Sequence, residues 1–157
     1  DFLNFGSRFK EKNFIPYNMV FKKKPDLDFI NSLGEDNMSG FLEIKFTDVG
    51  DDFVVAEMPV NNKTKQPMGL LHGGANVVLA ETLGSIAAML TLDTEKQTPV
   101  GLEINANHLR SVTEGKVIGK ASPIHIGRKT QVWEIRITDD KGKLSCISRL
   151  TVAILQK

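Results

Sequence analysis

Gly73-Gly74-Ala75-Asn76-Val77-Val78-Leu79-Ala80-Glu81-Thr82-Leu83-Gly84-Ser85-Ile86-Ala87-Ala88-Met89-Leu90-Thr91 sets the architecture of the chain. Ala, Leu, Val and Met fill it almost without polar interruption, it holds no proline, and as a helix it would run about 28 Å. A helix this apolar is expected to be buried, and one buried helix needs a sheet to wrap it. The flanking sequence supplies that sheet. Beyond Pro99 come four strand-like segments, at about 99–110, 115–126, 130–139 and 143–156. Trp133, Ile135 and Ile137 alternate with Val132, Glu134 and Arg136, and Asp140-Lys141-Gly142 supplies a turn before the last strand. Upstream, Leu42, Ile44 and Phe46 alternate with Glu43, Lys45 and Thr47, and a Gly50-Asp51-Asp52 turn leads to Val54, Ala56 and Met58, the pattern of a β-hairpin. Pro25 and Asp26 are helix-start residues and Gly34 a stop, which predicts a short helix over 25–33. Because the strands are consecutive and their turns short and polar, an antiparallel meander is the economical arrangement. The predicted fold is α+β: a curved antiparallel sheet of about six strands wrapped around one long central helix.

The 157 residues, 41% hydrophobic and 25% charged, suit one domain with a genuine core, predicted over 19–157. Residues 1–18 scatter Phe2, Phe5, Phe9 and Phe14 among charges in no clear period and read as an extension outside that domain. Twenty basic against 19 acidic residues leave a formal charge of +1, which gives no general electrostatic case for nucleic acid or membrane as a partner. Cys146 is the only cysteine, so neither an intrachain disulfide nor a cysteine zinc cage can form. That usage, with no basic-then-apolar leader and no apolar run reaching roughly 20 residues, predicts a soluble, cytoplasmic protein.

Chemistry concentrates on the long helix. Glu81 sits among Val77, Val78, Leu79, Ala80, Leu83, Ile86 and Ala87, where an ionised carboxylate is costly unless something stabilises it. It reads as a catalytic acid, with a carboxylate at an oligomer seam or snorkelling to solvent as the alternative. Ser85, four residues on, shares its helical face and can place a hydroxyl beside Glu81 or a ligand. His72-Gly73-Gly74 opens the helix, where free amides and the macrodipole favour developing negative charge. A tight turn with a capping histidine is the plainer reading of that tripeptide. Gln66, before Pro67, can donate an amide proton to the same region, pairing with the Gly73 amide as an oxyanion-type site.

Gly73 and Glu81 are eight residues apart, about 12 Å along a helix axis, too far to flank one carbonyl comfortably. Two such helices packed antiparallel about a two-fold axis would bring the helix start of one subunit to the acid of the other, which predicts a homodimer with shared active sites. His108 shares parity with Leu102, Ile104 and Ala106, placing it on the apolar side of its strand, as a substrate-pocket residue or as a core histidine. His125, Gly127, Arg128 and Lys129 group a histidine and two cations at a strand turn suited to phosphate, or simply to solvent. Arg110 ranks below these as a single arginine of a commonplace kind.

The run Gln66-Pro67-Met68-Gly69-Leu70-Leu71-His72-Gly73-Gly74, continued through Ala80-Glu81-Thr82-Leu83-Gly84-Ser85, resembles the hotdog-fold thioesterases of the phenylacetate-degradation type. Gly101-Leu102-Glu103-Ile104-Asn105-Ala106-Asn107-His108, Val132-Trp133 and Ser148-Arg149-Leu150-Thr151 are similar to the subgroup acting on 1,4-dihydroxy-2-naphthoyl-CoA, which is close to the enterobactin proofreading thioesterases. The resemblance spans roughly residues 19–156. It implies a homotetramer built as a dimer of dimers, hydrolysis of an aromatic or other acyl-CoA, and no metal or cofactor beyond the coenzyme A of the substrate. Carried over, it implies that Gln66 and the Gly73 amide polarise the thioester carbonyl and that Glu81 is nucleophile or general base, assisted by His72 and Ser85. Gly74, His108 and His125 would contact substrate, His108 at the acyl group, and Arg128 and Lys129 the coenzyme A. The subgroup's pathway would be menaquinone biosynthesis. Competing readings are a broad-specificity proofreading or medium-chain acyl thioesterase and a non-catalytic acyl-CoA binding module; the Asp/His arrangement of hotdog hydratases has no match here.

Overall fold

The computed structural model describes residues 20–22 and 25–157, so the extension read over 1–18 lies outside the described residues. In chain order the elements are α1 (Leu27–Ser32), α2 (Met38–Phe41), β1 (Lys45–Val49), β2 (Val54–Pro59), α3 (Gly73–Leu90), β3 (Gln97–His108), β4 (Lys116–Ile126), β5 (Thr130–Asp139) and β6 (Leu144–Gln156). Six antiparallel strands form one sheet in the order β1-β2-β4-β5-β6-β3. The strand and long-helix boundaries read from the sequence fall within about three residues of those observed, the scatter expected at element ends. Asp26 proves to be the N-cap of α1, its side chain accepting from the Asp28 amide, and the one-turn α2 has no counterpart in the sequence reading.

The strand order departs from a meander. β4, β5 and β6 are successive hairpins, but β3 lies at the far edge against β6 (Asn105↔Arg149), and β4 pairs with β2 (Ala56↔Gly119). Residues 111–114, read as a short polar turn between two strands, belong instead to a crossover over 109–115 whose backbone bonds go to other segments. The Leu71 N–H donates to the Val112 carbonyl (2.8 Å), the Val60 N–H to that of Gly115 (2.9 Å) and the Leu109 N–H to that of Ser145 (2.8 Å). Seven residues exceed what a tight hairpin loop needs, and they carry the chain from one sheet edge back to β2.

α3 buries Ala75, Asn76, Leu79, Ala80, Leu83, Gly84, Ala87 and Ala88, the i, i+3, i+4 stripe of one helix face. Opposite stand Ala56 and Met58 of β2, Val117 and Ala121 of β4, Trp133, Ile135 and Ile137 of β5, and Leu150 and Val152 of β6, all buried. The alternation in β5 is as read, with Trp133, Ile135 and Ile137 inward and Arg136 outward. The helix is not enclosed on all sides, however: Val77, Val78, Glu81, Ser85 and Met89 are only partly buried. In length and composition α3 could cross a membrane, with a mean hydropathy of 1.3, but its stripe here is the core of the sheet. Buried polar groups at its C-terminal end are mutually satisfied. The Trp133 indole donates to Gln131 Oε1 (3.0 Å), Gln131 Nε2 to Thr91 Oγ1 (2.7 Å), and that hydroxyl to the Ala88 carbonyl (2.8 Å).

The two sheet edges are treated differently. At β1, Asn31 of α1 brackets Phe46, donating to its carbonyl (3.0 Å) and accepting from its amide (2.8 Å), which occupies edge groups that could otherwise recruit another strand. β3 presents a twelve-residue edge with Val100 and Leu102 43% and 61% exposed. Replacing Asn31 with alanine strands two backbone groups and is expected to lower the unfolding free energy by about 1–3 kcal/mol, read as a reduced urea midpoint at unchanged m.

Candidate active site

The loop that feeds α3 is fixed by its own polar groups. Thr64 is buried, its hydroxyl donating to the Pro59 carbonyl (2.9 Å), while its carbonyl accepts from the His72 N–H (2.8 Å). Gln66 closes a turn through the Gly69 N–H, and its side-chain Oε1 accepts from the Met68 N–H. With that oxygen committed, the Gln66 side chain has its NH2 group left to offer a ligand.

At the helix start, His72 is the N-cap, and its Nδ1 accepts from the Gly74 N–H at 2.8 Å. The capping alternative is therefore realised in the geometry, and the Gly74 amide, read as a substrate contact, is already engaged. The Ala75 and Asn76 N–H groups donate to the His72 carbonyl. That leaves the Gly73 N–H as the helix-start donor with no protein acceptor among the described residues. Glycine is needed at 73 because a Cβ there would stand 2.7 Å from His108 Nε2. Gln66, Gly73 and His108 thus line one cavity of about 310 Å³, with Asn76 and Arg110 in the same wall.

His108 reaches the helix side of β3, as its parity with Ile104 and Ala106 predicts, but that parity does not extend to Leu102. A bulge between Gly101 and Glu103 shifts the register and turns Leu102 out to solvent, so only Ile104 and Ala106 share the inward face with it. Its Nδ1 lies 3.5 Å from Asn76 Nδ2, and Asn76 Oδ1 is buried with no partner.

Two turns further along α3, Glu81 is half-buried rather than fully buried. Desolvation raises its pKa above the ordinary carboxylate value, and a hydrogen bond from Ser85 Oγ to Oε1 (3.4 Å) opposes part of that rise. Neither Glu81 nor Ser85 lines the cavity at the helix start. His125, Arg128 and Lys129 are exposed around the β4–β5 turn, apart from that cavity. One chain therefore carries a donor cluster and a carboxylate on the same helix without joining them. Among the described residues no grouping of His, Cys, Asp and Glu suits a metal ion.

Three residues not singled out in sequence as site residues lie beside those that are: Asn76 and Arg110 in the cavity wall and Gly101 against Glu81. Asn76 was detectable as the one amide on an otherwise apolar stripe, whereas Arg110 gains its place only through the crossover that follows β3.

Residues 68–146 match the thioesterase superfamily family model. The chain is 56% identical to the 1,4-dihydroxy-2-naphthoyl-CoA hydrolase of Escherichia coli over 137 residues, 87% of this chain and 100% of that protein. The chain belongs to the thioesterase superfamily. This thioesterase is also 47% identical to a proofreading thioesterase of Cronobacter sakazakii, across 87% of the chain and 99% of the relative. A mutant thioesterase from Pseudomonas aeruginosa superposes with a TM-score of 0.87 at 47% identity, covering 88% of this chain and 99% of the other. The hotdog fold and a thioester-hydrolase activity follow from this kinship.

Because burial raises the Glu81 pKa, the folded thioesterase holds that proton more tightly than the unfolded chain does. The associated stability is present below the unfolded pKa and is lost as pH rises through the folded one. Glu81→Gln is accordingly expected to raise the urea midpoint at pH 8, with the gain shrinking to nothing near pH 4.

Proposed function

We propose that the protein hydrolyses an aromatic acyl-CoA, 1,4-dihydroxy-2-naphthoyl-CoA foremost, to the free acid and coenzyme A, at sites shared between two copies of the chain. The observation that carries this reading is the pairing on one helix of a donor cluster at its start and a half-buried carboxylate two turns on. Identity of 56% across the whole length of a hydrolase of that substrate supports the acyl group. A role in menaquinone biosynthesis, in the cytoplasm, accompanies that choice.

In the proposed step the Gln66 NH2 group and the Gly73 N–H, at the positive end of the helix, hydrogen-bond the thioester oxygen as it gains charge. His108 contacts the acyl group from the opposite wall, Arg110 adds a cation there, and Arg128 and Lys129 meet coenzyme A phosphates. Glu81 of the second copy either attacks the carbonyl carbon, giving an acyl-Glu81 anhydride that water then hydrolyses to the free acid and the free carboxylate, or takes a proton from a water molecule as that water attacks. The C–S bond breaks, coenzyme A departs as a thiolate that is then protonated, and water is the only co-reactant. His72 caps the donor helix, and Ser85 holds Glu81 ionised and oriented. A Staphylococcus aureus relative at 43–44% identity has been solved both with a glutamine and with a glutamate replaced by alanine. Those two residues lie fifteen apart, the separation of Gln66 and Glu81.

The exposed β3 edge is the proposed meeting line of two copies, since among the described residues it joins an unblocked ladder to exposed apolar side chains. Two such dimers would form the tetramer.

Free-thiol release from benzoyl-, 1,4-dihydroxy-2-naphthoyl- and octanoyl-CoA tests the reading. Glu81→Ala should lower kcat on the naphthoyl substrate by about 100-fold or more; tight binding with no turnover by the parent on any of the three would make it a binding module. Separately inactive Gln66→Ala and Glu81→Ala chains, refolded together, should recover about a quarter of parental activity, because half of the dimers then carry one intact site; no recovery would put both groups in one subunit. In the pH profile of kcat/KM, activity should fall as pH drops through the raised Glu81 pKa, and Ser85→Ala, which removes the hydrogen bond that lowers it, should move that limb to higher pH.

A further inference from the structure

We propose that Gly101 is a positioning residue for catalysis: the absence of a side chain at the β3 bulge forms the seat in which the Glu81 carboxylate rests. A Cβ built on Gly101 would stand 2.7 Å from Glu81 Oε1, where ordinary contact is 3.4–4 Å. The next nearest atoms are Glu81 Cδ at 3.6 Å and Oε2 at 4.0 Å, so the space is taken by this one carboxylate.

Backbone conformation does not explain the glycine. The positive-φ glycines are Gly69, Gly115 and Gly142, and Gly101 is not among them, so an L side chain could adopt its dihedral angles. Strands disfavour glycine, which has no side chain to pack. What distinguishes position 101 is the acid above it. The bulge adds a second element, since the register slips between Gly101 and Glu103 and leaves Leu102 as the extra residue directed to solvent. A bulge bends its strand and re-aims neighbouring groups, and here it falls where α3 presents Glu81. Ser85 fixes the same oxygen, Oε1, from the helix. The carboxylate is therefore held between a hydroxyl one helical turn away and a strand hollowed by one missing methyl group.

This inference rests on Glu81 acting on the thioester, and the test separates the two. Gly101→Ala, Glu81→Asp, their combination and Glu81→Ala are assayed with 1,4-dihydroxy-2-naphthoyl-CoA, and the parent and Gly101→Ala are crystallised. Gly101→Ala should cut kcat by about 100-fold, the scale of an ångström-sized misplacement, while KM moves by less than about threefold because substrate contacts are untouched. Glu81→Asp should cost far less in the Gly101→Ala chain than in the parent, since the shorter acid withdraws from the added methyl. A parental kcat in Gly101→Ala, or equal costs of Glu81→Asp in both chains, would overturn the proposal. If Gly101→Ala fails to fold but the combination folds, the clash is with the acid and the proposal stands; if neither folds, β3 itself rejects the methyl and the proposal falls. Should Glu81→Ala retain turnover, the catalytic reading of Glu81 fails, and the crystal structures decide the seat alone. A carboxylate moved off residue 101 supports it, and an unmoved carboxylate over a displaced β3 overturns it.

Discussion

The packing of one face of α3 against the sheet is the constraint on which everything else in this molecule depends. β2, β3, β4, β5 and β6 all contact that helix, and the buried stripe from Ala75 to Ala88 is built, Asn76 apart, of small and branched apolar residues that let it lie close. Burying a Leu or Ile side chain contributes on the order of 1.5–3 kcal/mol, so Leu79, Leu83, Ile135, Ile137 and Leu150 around this contact outweigh any single polar interaction in the fold. Once this face is committed to the core, the orientation of the helix about its own axis is set. Glu81 and Ser85 must then face outward, over β3, and the helix start must open beside the end of β3.

In the proposed reading, that orientation divides the site into two half-sites. The helix start is a place of unspent hydrogen-bond donors, and the loop from Asn61 to His72 commits most of them to internal bonds while leaving the Gly73 N–H and the Gln66 NH2 group for a ligand. The carboxylate stands two turns away, about 12 Å by helical rise, and a rigid helix cannot shorten that distance. The proposed dimer answers this, because a two-fold axis would bring the two halves together twice for one interface. The contrast between the edge blocked by Asn31 and the open edge of β3 fits the same logic.

Function here is held against stability. Glu81 is desolvated enough to raise its pKa, and only Ser85 opposes that rise. The Asn76 amide oxygen is buried without a partner beside His108, and Gly101 gives up side-chain packing in a strand. Stability alone would favour an apolar residue at each of these positions, and all three cluster where α3 meets β3, the contact at which the proposed chemistry is placed.

Read alone, the sequence is enough for the long helix, the six strands to within a few residues, the inward alternation of β5, and the placing of Gln66, His72, Glu81 and Ser85 as polar residues on the helix or its approach. These are local properties: periodicity, caps and charges among apolar neighbours are written in adjacent residues. Tertiary structure alone decided the strand order, because whether 109–115 turns back or crosses over depends on partners such as Leu71 and Ser145 that lie far off in sequence. It also decided that a bulge would turn Leu102 off the face of His108, that Arg110 would enter the cavity wall, and that Gly101 would underlie Glu81. Each of those outcomes is a distance between residues on different elements, and such distances are fixed only when the helix and the strands pack.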